Sequence, residues 1–406
     1  MTPTVSNWLD FLITQHAVLG QTATPATPAT PAFAQPAPAG NTAATPVATP
    51  AAALGEVVGF GVQAPGRDGF VAPLTDLGLI AAAGDDAASF LHGQLTNDVE
   101  HLDLGHARLA GYCTPKGRLL ATMLIWKTGD AILLCLPREI QPAIQKRLQM
   151  FIMRAKAKLA DVADTEVVLG LAGPASSLAL AHWFEQMPQA PYAKADSRAG
   201  TLIRLADADG AARYQWITTV EIAQQAWARL TETLEPKPAS AWRRLDILAG
   251  IPQVTRATQE QFVPQMINYE AIGGVNFKKG CYPGQEIVTR SQYLGKLKRR
   301  MILASVAKDV LERALASAGR EASDADAAAG HADAAAAHAG TEVFSSTDPQ
   351  QPCGMLVNAE RAADGGLDCL VEIKTAMLEA GTLHLGSADG MQILPSTLPY
   401  LVPEPD

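Results

Sequence analysis

The residues with the most chemical potential lie in one run, Gly273-Gly274-Val275-Asn276-Phe277-Lys278-Lys279-Gly280-Cys281-Tyr282-Pro283-Gly284-Gln285-Glu286. Pro283 suits the first turn of a helix through Ile287, Val288 and Arg290, because that turn leaves its N–H groups unpaired anyway. Cys281 then stands just before a helix N-terminus, where free N–H groups and the dipole favour an anion. With Lys278 and Lys279 adjacent, the thiol pKa is expected to fall and the thiolate to be enriched. The alternative is a buried cysteine that behaves as a small hydrophobe.

Charge marks the same stretch. Between residues 276 and 300 there are seven basic residues (Lys278, Lys279, Arg290, Lys296, Lys298, Arg299 and Arg300) and one acid, Glu286, inside a chain of net charge −9. Such a segment attracts a carboxylate-rich small molecule or a phosphate backbone, or is a solvated basic loop. Other chemistries fare worse. The chain has no G-x-S-x-G, no Walker A sequence and no H-E-x-x-H. Gly59-Phe60-Gly61 begins a dinucleotide fingerprint but lacks the third glycine and the helix. His92, His101 and His106 do not share a helix face, so surface or core placement is expected for them, not a metal site. Cys113, Cys135, Cys281, Cys353 and Cys369 are scattered and form no C-x-x-C pair, which excludes a disulfide framework and fits a reducing, cytosolic setting. A cluster held by thiolates of this one chain would need them to converge.

The elements that must position these residues read as α+β. Residues 70–83 look like strand, and Asp85 or Asp86 caps a helix carrying Phe90, Leu91 and Leu95. Residues 107–113 and 118–126 read as strands joined by the turn Thr114-Pro115-Lys116-Gly117, and 132–136 adds another. Ile140, Ile144, Leu148, Phe151 and Ile152 then recur at helical spacing. A second α+β unit is expected over 162–234, and a helix over 238–249 stopping at Gly250 and Pro252. After Met301 short strands (301–306, 354–357, 370–373, 382–385) predict a small β-barrel or sandwich. Residues 21–53 are almost entirely Ala, Pro and Thr, with no charge and seven of the 27 prolines, which predicts an extended linker. The Ala-rich run 314–340, with His331 and His338, reads as a polar insertion in a surface loop.

A length of 406 residues suits two or three domains, and 48% hydrophobic against 18% charged residues excludes wholesale disorder. Residues 1–20 contain no Lys or Arg, so neither a secretory nor a mitochondrial leader is indicated, and no apolar run reaches the length of a membrane span. The segment around Trp8 and Phe11 is expected to form a short amphipathic helix docking on the protein itself. The chain is expected to be soluble and cytoplasmic.

The run Lys278-Lys279-Gly280-Cys281-Tyr282-Pro283-Gly284-Gln285-Glu286 resembles the K-G-C-[FY]-x-G-Q-E signature of the YgfZ family of folate-binding proteins, which is similar in fold to the glycine-cleavage T-protein, an aminomethyltransferase. Supporting segments are Phe262-Val263-Pro264-Gln265, Gly93-Gln94-Leu95-Thr96-Asn97-Asp98-Val99, Cys113-Thr114-Pro115-Lys116-Gly117 and Leu398-Pro399-Tyr400, so the resemblance spans roughly residues 54–400, excluding the Ala-rich insertion. It implies a three-part ring in which two aminomethyltransferase-like folate-binding portions and a C-terminal β-barrel surround a channel for tetrahydrofolate. On that basis residues 1–20 are an N-terminal segment, 21–53 a linker, 54–300 the folate-binding region with two α+β subdomains, and 301–406 the barrel with its insertion at 314–340. The implied role is support of iron–sulfur enzymes, including tRNA-modifying ones, with iron–sulfur clients or assembly factors as partners.

Carried across residue by residue, Cys281 falls on the motif cysteine and Asp98 on the aspartate beside the folate in the aminomethyltransferases; both are expected to be catalytic. Trp242 falls on a folate-contacting tryptophan, and Lys279, Gly280, Tyr282, Gly284, Gln285, Glu286 and Arg290 are expected to bind cofactor; no metal ligand is expected. Two positions depart from the pattern. Leu77 replaces a second folate tryptophan, and Leu248-Ala249-Gly250 replaces the enzymes' E-A-G, so a polar pterin edge loses an acceptor worth about 1–3 kcal/mol in a buried site. Glycine-cleavage aminomethyltransferase and a tRNA-binding module using the basic stretch remain the alternatives.

Overall fold

The computed structural model of the protein describes residues 5–19, 56–60, 68–293, 297–321 and 337–403; the stretch 21–53, Gly61, Lys296 and His331 lie outside the described residues. Two largely antiparallel sheets face one another and a closed barrel stands beside them.

The first sheet has five strands in the order Ala107–Cys113, Leu119–Lys127, Ala131–Pro137, Leu77–Ala83 and Lys158–Asp161, every neighbour antiparallel. Its central strands are apolar almost without interruption because both faces are covered. One face packs under the helices Ala87–His92 and Gln141–Ile152 through Phe90, Leu91, Ile144 and Leu148. The first hairpin turns at Thr114-Pro115-Lys116-Gly117, with Gly117 at φ 71° and its N–H donating to the Thr114 carbonyl at 2.9 Å. Asp86 stands at the N-cap of Ala87–His92 but does not cap it; its carboxylate instead accepts from the Lys156 N–H at 2.7 Å. The helix ends at Gly93, so Leu95 lies beyond it, in a bridge to Tyr112.

The run 70–83 is not one strand. Phe70–Pro73 belongs to the second sheet and Leu77–Ala83 to the first, with the chain crossing between them at Leu74, Thr75 and Asp76. Pro73 has no N–H to continue a ladder, and the Leu77 N–H turns back to the Leu74 carbonyl at 3.2 Å. The second sheet runs Lys194–Ser197, Gly200–Ala208, Ala211–Thr219, Glu166–Ala172, Phe70–Pro73 and Glu235–Pro236, and only the last pair is parallel. Its outer face carries the helix Val220–Thr233, whose first turn is capped by the Thr219 hydroxyl. The helix Val5–Thr14 docks there too, with Trp8 edge-on to Trp227 at 5.7 Å between centroids.

The inner faces of both sheets share one core with the helix Ala239–Leu248, and Met301, Val357 and Leu370 of the barrel reach into it. The barrel closes six strands: Arg299–Val306, Glu342–Ser345, Asp348–Arg361, Leu367–Lys374, Leu383–Leu385 and Met391–Ser396. Closure removes the sheet edges that short strands otherwise leave open. The helix Lys308–Glu321 runs into the Ala-rich stretch, of which 322–336 lie outside the described residues. Among the described residues no helix is long and apolar enough to cross a membrane.

Candidate functional site

The helix Ala239–Leu248 is the pivot of the site because its two faces differ. Trp242, Leu245 and Asp246, at i, i+3 and i+4, are buried, while Arg243 and Arg244 turn to acids of neighbouring elements. Trp242 is 2% exposed. One face of its indole lies against Gly170, and the Arg213 guanidinium sits 5.1 Å from its centroid. One turn on, Asp246 Oδ1 accepts from Arg213 Nη1 at 2.7 Å and Oδ2 from Gln253 Nε2 at 3.3 Å. Burial pushes the Asp246 carboxyl above its ordinary range, and Arg213 opposes that shift. The second guanidinium nitrogen of Arg213, Nη2, is buried without a partner.

Trp242, Asp246 and Gln253 border a cavity between the sheets, lined also by Leu77, Tyr192, Gln215 and Tyr269 among others. Its walls are apolar and aromatic, with a few convergent polar groups, the usual composition of a small-molecule pocket. Leu77, which the resemblance aligns with a tryptophan, is in the lining and keeps that wall apolar. Leu248 is not in it; the carboxylate that enters is Asp246, two residues earlier on the same helix.

The cysteine segment is positioned by different contacts. Lys279 Nζ donates to the carbonyls of Leu95, at 2.8 Å, and His92, tying the segment to the end of Ala87–His92. The ammonium also lies 4.9 Å from the centre of the Tyr282 ring. Burial holds the Lys279 amine down at about 8, against the nearby charges of Asp98, Cys281 and Glu100. Gly284, at φ 81°, presses on the Thr114–Gly117 turn, where a β-carbon would meet Gly117 Cα at 2.6 Å. The following helix starts at Gln285, so Pro283 precedes it and Cys281 stands outside its first turn. The dipole effect expected at Cys281 therefore loses its basis, since it fades beyond the terminal turn. Cys281 is exposed, whereas Cys113, Cys135, Cys353 and Cys369 are buried. Burial pushes the thiols of Cys113, Cys135 and Cys369 up to about 12.

Asp98 joins the cysteine segment. Its carboxylate lies 3.1 Å from His92 Nδ1, 2.9 Å from His101 Nδ1 and 3.8 Å from Arg108 Nη1. Burial works to raise its pKa, but the hydrogen bonds from His101 and the charges of His101 and His92 outweigh it and hold the carboxyl low. Asp98 also lines an open depression with Asn97, Arg108 and Asn276, and Tyr192 and Leu109 border both this depression and the Trp242 cavity.

The expected site residues thus fall into two neighbouring groups. Trp242 lines the cavity; Cys281, Lys279, Gly280, Tyr282, Gly284, Gln285, Glu286 and Arg290 do not, and Glu286 and Arg290 are exposed. The basic stretch is also partly neutralised from within. Arg299 forms a bidentate pair with Glu372, at 2.8 Å for its Nη2, and Arg300 is buried against Glu270. Among the described residues only Lys278, Arg290 and Lys298 of that stretch are exposed cations. Asp246 and Arg213 were not singled out by sequence, and His92 was expected only at the surface or in the core. The spacing of Asp246, four residues after Trp242 on the apolar face, is the signal that marks it. His92 has no comparable signal, because its partners are remote in sequence or lie in a loop.

No family model matches the chain. The tRNA-modifying protein YgfZ of Serratia proteamaculans (strain 568) is 32% identical over 229 residues, 56% of this chain and 68% of that protein. A crystal structure of the glycine cleavage system aminomethyltransferase T from Bartonella henselae superposes with a TM-score of 0.61 over 84% of this chain and 90% of that one, at 13% identity, which is a likeness of fold alone. With the extent of the match to the Serratia protein, the aminomethyltransferase-like fold and the Lys-Gly-Cys-Tyr segment held at the surface, the chain belongs to the YgfZ family.

Proposed function

We propose that this protein is a cytoplasmic folate-binding accessory factor for iron–sulfur enzymes, tRNA-modifying ones among them, with Cys281 as its reactive thiol. The observation that carries the folate part is the pairing of Trp242 with Asp246 on one wall of the cavity. A reduced pterin has a planar pyrimidinone half with N–H donors on one edge and a carbonyl acceptor. Two residues of the lining fit it: the indole of Trp242 supplies an aromatic wall, and the Asp246 carboxylate accepts N–H groups. Bound there, tetrahydrofolate would supply nitrogen atoms able to carry a one-carbon unit. Trp242 and Leu77 would bind and orient the ring, and Asp246 would fix its edge. The two sheets and the barrel would form the three-part ring around this cavity.

The thiol reading rests on exposure. Cys281 is the exposed cysteine of the five, on a segment fastened by Lys279. A cluster carried by this chain alone is disfavoured by the burial of the other four. Glycine cleavage is disfavoured by Leu248, and direct tRNA binding by the internal pairing of Arg299 and Arg300. The test has two arms. Tetrahydrofolate titration should show saturable binding weakened at least tenfold in Trp242→Leu, and unchanged affinity sinks the pocket. In cells lacking the protein, Cys281→Ala should accumulate normally yet fail to restore an iron–sulfur tRNA-modifying activity, and full rescue sinks the role of the thiol.

A further inference from the structure

The helix that carries Trp242 and Asp246 ends in a turn that the barrel side of the molecule holds in place. Gly250 stands at φ 68°. Its N–H donates to the Ile247 carbonyl at 2.9 Å, and the Ile251 N–H donates to the Asp246 carbonyl at 2.9 Å, the two bonds of a left-handed helix end. The turn delivers Ile251, Pro252 and Gln253 to the lining of the Trp242 cavity. Gln253 then reaches back to the site, because its Nε2 donates to Asp246 Oδ2 at 3.3 Å.

Two residues grip this turn, one at each end. Tyr400, beyond the barrel strand Met391–Ser396, donates its hydroxyl to the Gly250 carbonyl at 2.8 Å. Its ring takes the space that a side chain at 250 would need: a β-carbon there would stand 2.5 Å from Cε1. Glycine at 250 thus serves both the left-handed backbone and the close approach of the ring. Asn358, on the barrel strand Asp348–Arg361, meets Gln253 twice. Its Oδ1 accepts from the Gln253 N–H at 2.9 Å, and its Nδ2 donates to the Gln253 carbonyl at 3.1 Å. One side-chain amide therefore satisfies both backbone groups of a residue that lines the cavity. The ladder of that strand shifts register between Leu356 and Asn358, an irregularity of the kind that re-aims a side chain.

We propose that Asn358 and Tyr400 are positioning residues for ligand binding: together they clamp the turn 250–253, and the clamp keeps Gln253 against Asp246 on the cavity wall. Neither residue lines the cavity itself. Both act through Gln253 and the helix end, which gives the barrel a part in binding without a contact to the ligand. The inference rests on the reading of the cavity as a folate site. Its physical basis is preorganisation. A wall already fixed asks no ordering entropy of the ligand, whereas a loosened turn must be ordered as the ligand binds.

The test has a ligand-free arm and a ligand arm, both on the full chain. Tyr400→Phe keeps the ring and loses only the hydroxyl. Hydrogen exchange followed by mass spectrometry should show the amides of Gly250, Ile251 and Gln253 exchanging about fivefold faster in this variant, the worth of one hydrogen bond. The strand Ala131–Pro137 should keep its rate, which separates a loosened turn from general destabilisation. Equal exchange at the turn overturns the proposal. If Tyr400→Phe does not fold, Asn358→Ala is read in the same way at Gly250 and Ile251. In the second arm, tetrahydrofolate is titrated into wild type and Asn358→Ala under conditions where both are folded. The variant should bind about tenfold more weakly although every lining side chain is intact. A purely structural role would lower the urea midpoint and leave the affinity of the folded protein as it was, and that result overturns the proposal. A wild type that binds no tetrahydrofolate sinks the folate reading instead, and the exchange arm still decides the clamp.

Discussion

Gly170 lies so close beneath the indole of Trp242 that a β-carbon on it would stand 2.5 Å from Cε3 and 2.7 Å from Cδ2. The glycine is in the middle of the strand Glu166–Ala172, where its small size weakens the sheet locally but leaves room for the ring. The tryptophan that borders the cavity is therefore seated by an absence of side chain on the facing sheet, and the Arg213 guanidinium lies over its ring. The orientation of the indole belongs to the contact between the helix Ala239–Leu248 and the second sheet.

Gly170→Ala is expected to lower stability by about 1–3 kcal/mol, the range for one carbon forced into a packed core. It should also tilt the indole and weaken tetrahydrofolate binding more than the loss of stability alone explains. Urea unfolding and a tryptophan-fluorescence titration check both; a variant with wild-type stability and affinity would show that the ring has another seat.

Asp246→Asn keeps the shape of the side chain but removes the charge that Arg213 faces. Leaving that guanidinium buried without its carboxylate should cost about 3 kcal/mol, the lower end for breaking a buried pair. The folate affinity should fall about tenfold or more, while Leu248→Glu, outside the cavity lining, should change it less. Calorimetric titration of the two variants checks the order, and a larger effect at Leu248 would return the acceptor role to that position.

What could be read from the sequence was local, and what could not was the meeting of remote segments. The hairpin at Thr114–Gly117 and the barrel strands follow from turn residues and alternation, and the structure contains them. The break at Leu74–Asp76 was hidden because the residues on both sides are apolar, and only the partner strands tell two sheets apart. Arg299 and Arg300 counted as free charges until Glu372 and Glu270 appeared beside them. The same holds for the site. The Lys279–Tyr282 motif was visible as a string, but the carbonyls that anchor Lys279 lie at His92 and Leu95, far upstream.

Arg243 holds three acids from three parts of the chain: Glu56, Asp76 at the crossing between the sheets, and Glu360 of the barrel. Arg243→Ala leaves them facing one another and should destabilise by about 2 kcal/mol at pH 7, between the values for exposed and fully buried pairs. Burial already raises the Glu360 carboxyl, and Arg243 is the chief opposing charge, so its removal raises that pKa further. A raised folded-state pKa favours the folded protein below the unfolded value and costs stability as pH climbs through it. The penalty of the variant should therefore shrink on acidification from pH 7 to 5. Urea midpoints at the two pH values check it, and a pH-independent penalty would remove Glu360 from the explanation.

Lys279 gives the opposite sign on the alkaline side. Its amine titrates at about 8 in the folded protein, against 10.5 as its ordinary value, because burial disfavours the ammonium. Between those two values the unfolded chain binds more protons than the folded one, so stability should rise with pH across about 8 to 10.5 through this group. The contribution is complete above that window and is lost as pH falls through 8. Neutral or charged, Nζ keeps N–H donors for the His92 and Leu95 carbonyls, so the segment should stay anchored throughout. Lys279→Met removes the titration and the anchor together. The difference in urea midpoint between wild type and this variant should widen from pH 7.5 to 9.5, while the variant's Cys281 segment becomes more open to proteolysis. A difference that stays flat with pH would mean that the amine remains solvated and titrates as an ordinary lysine.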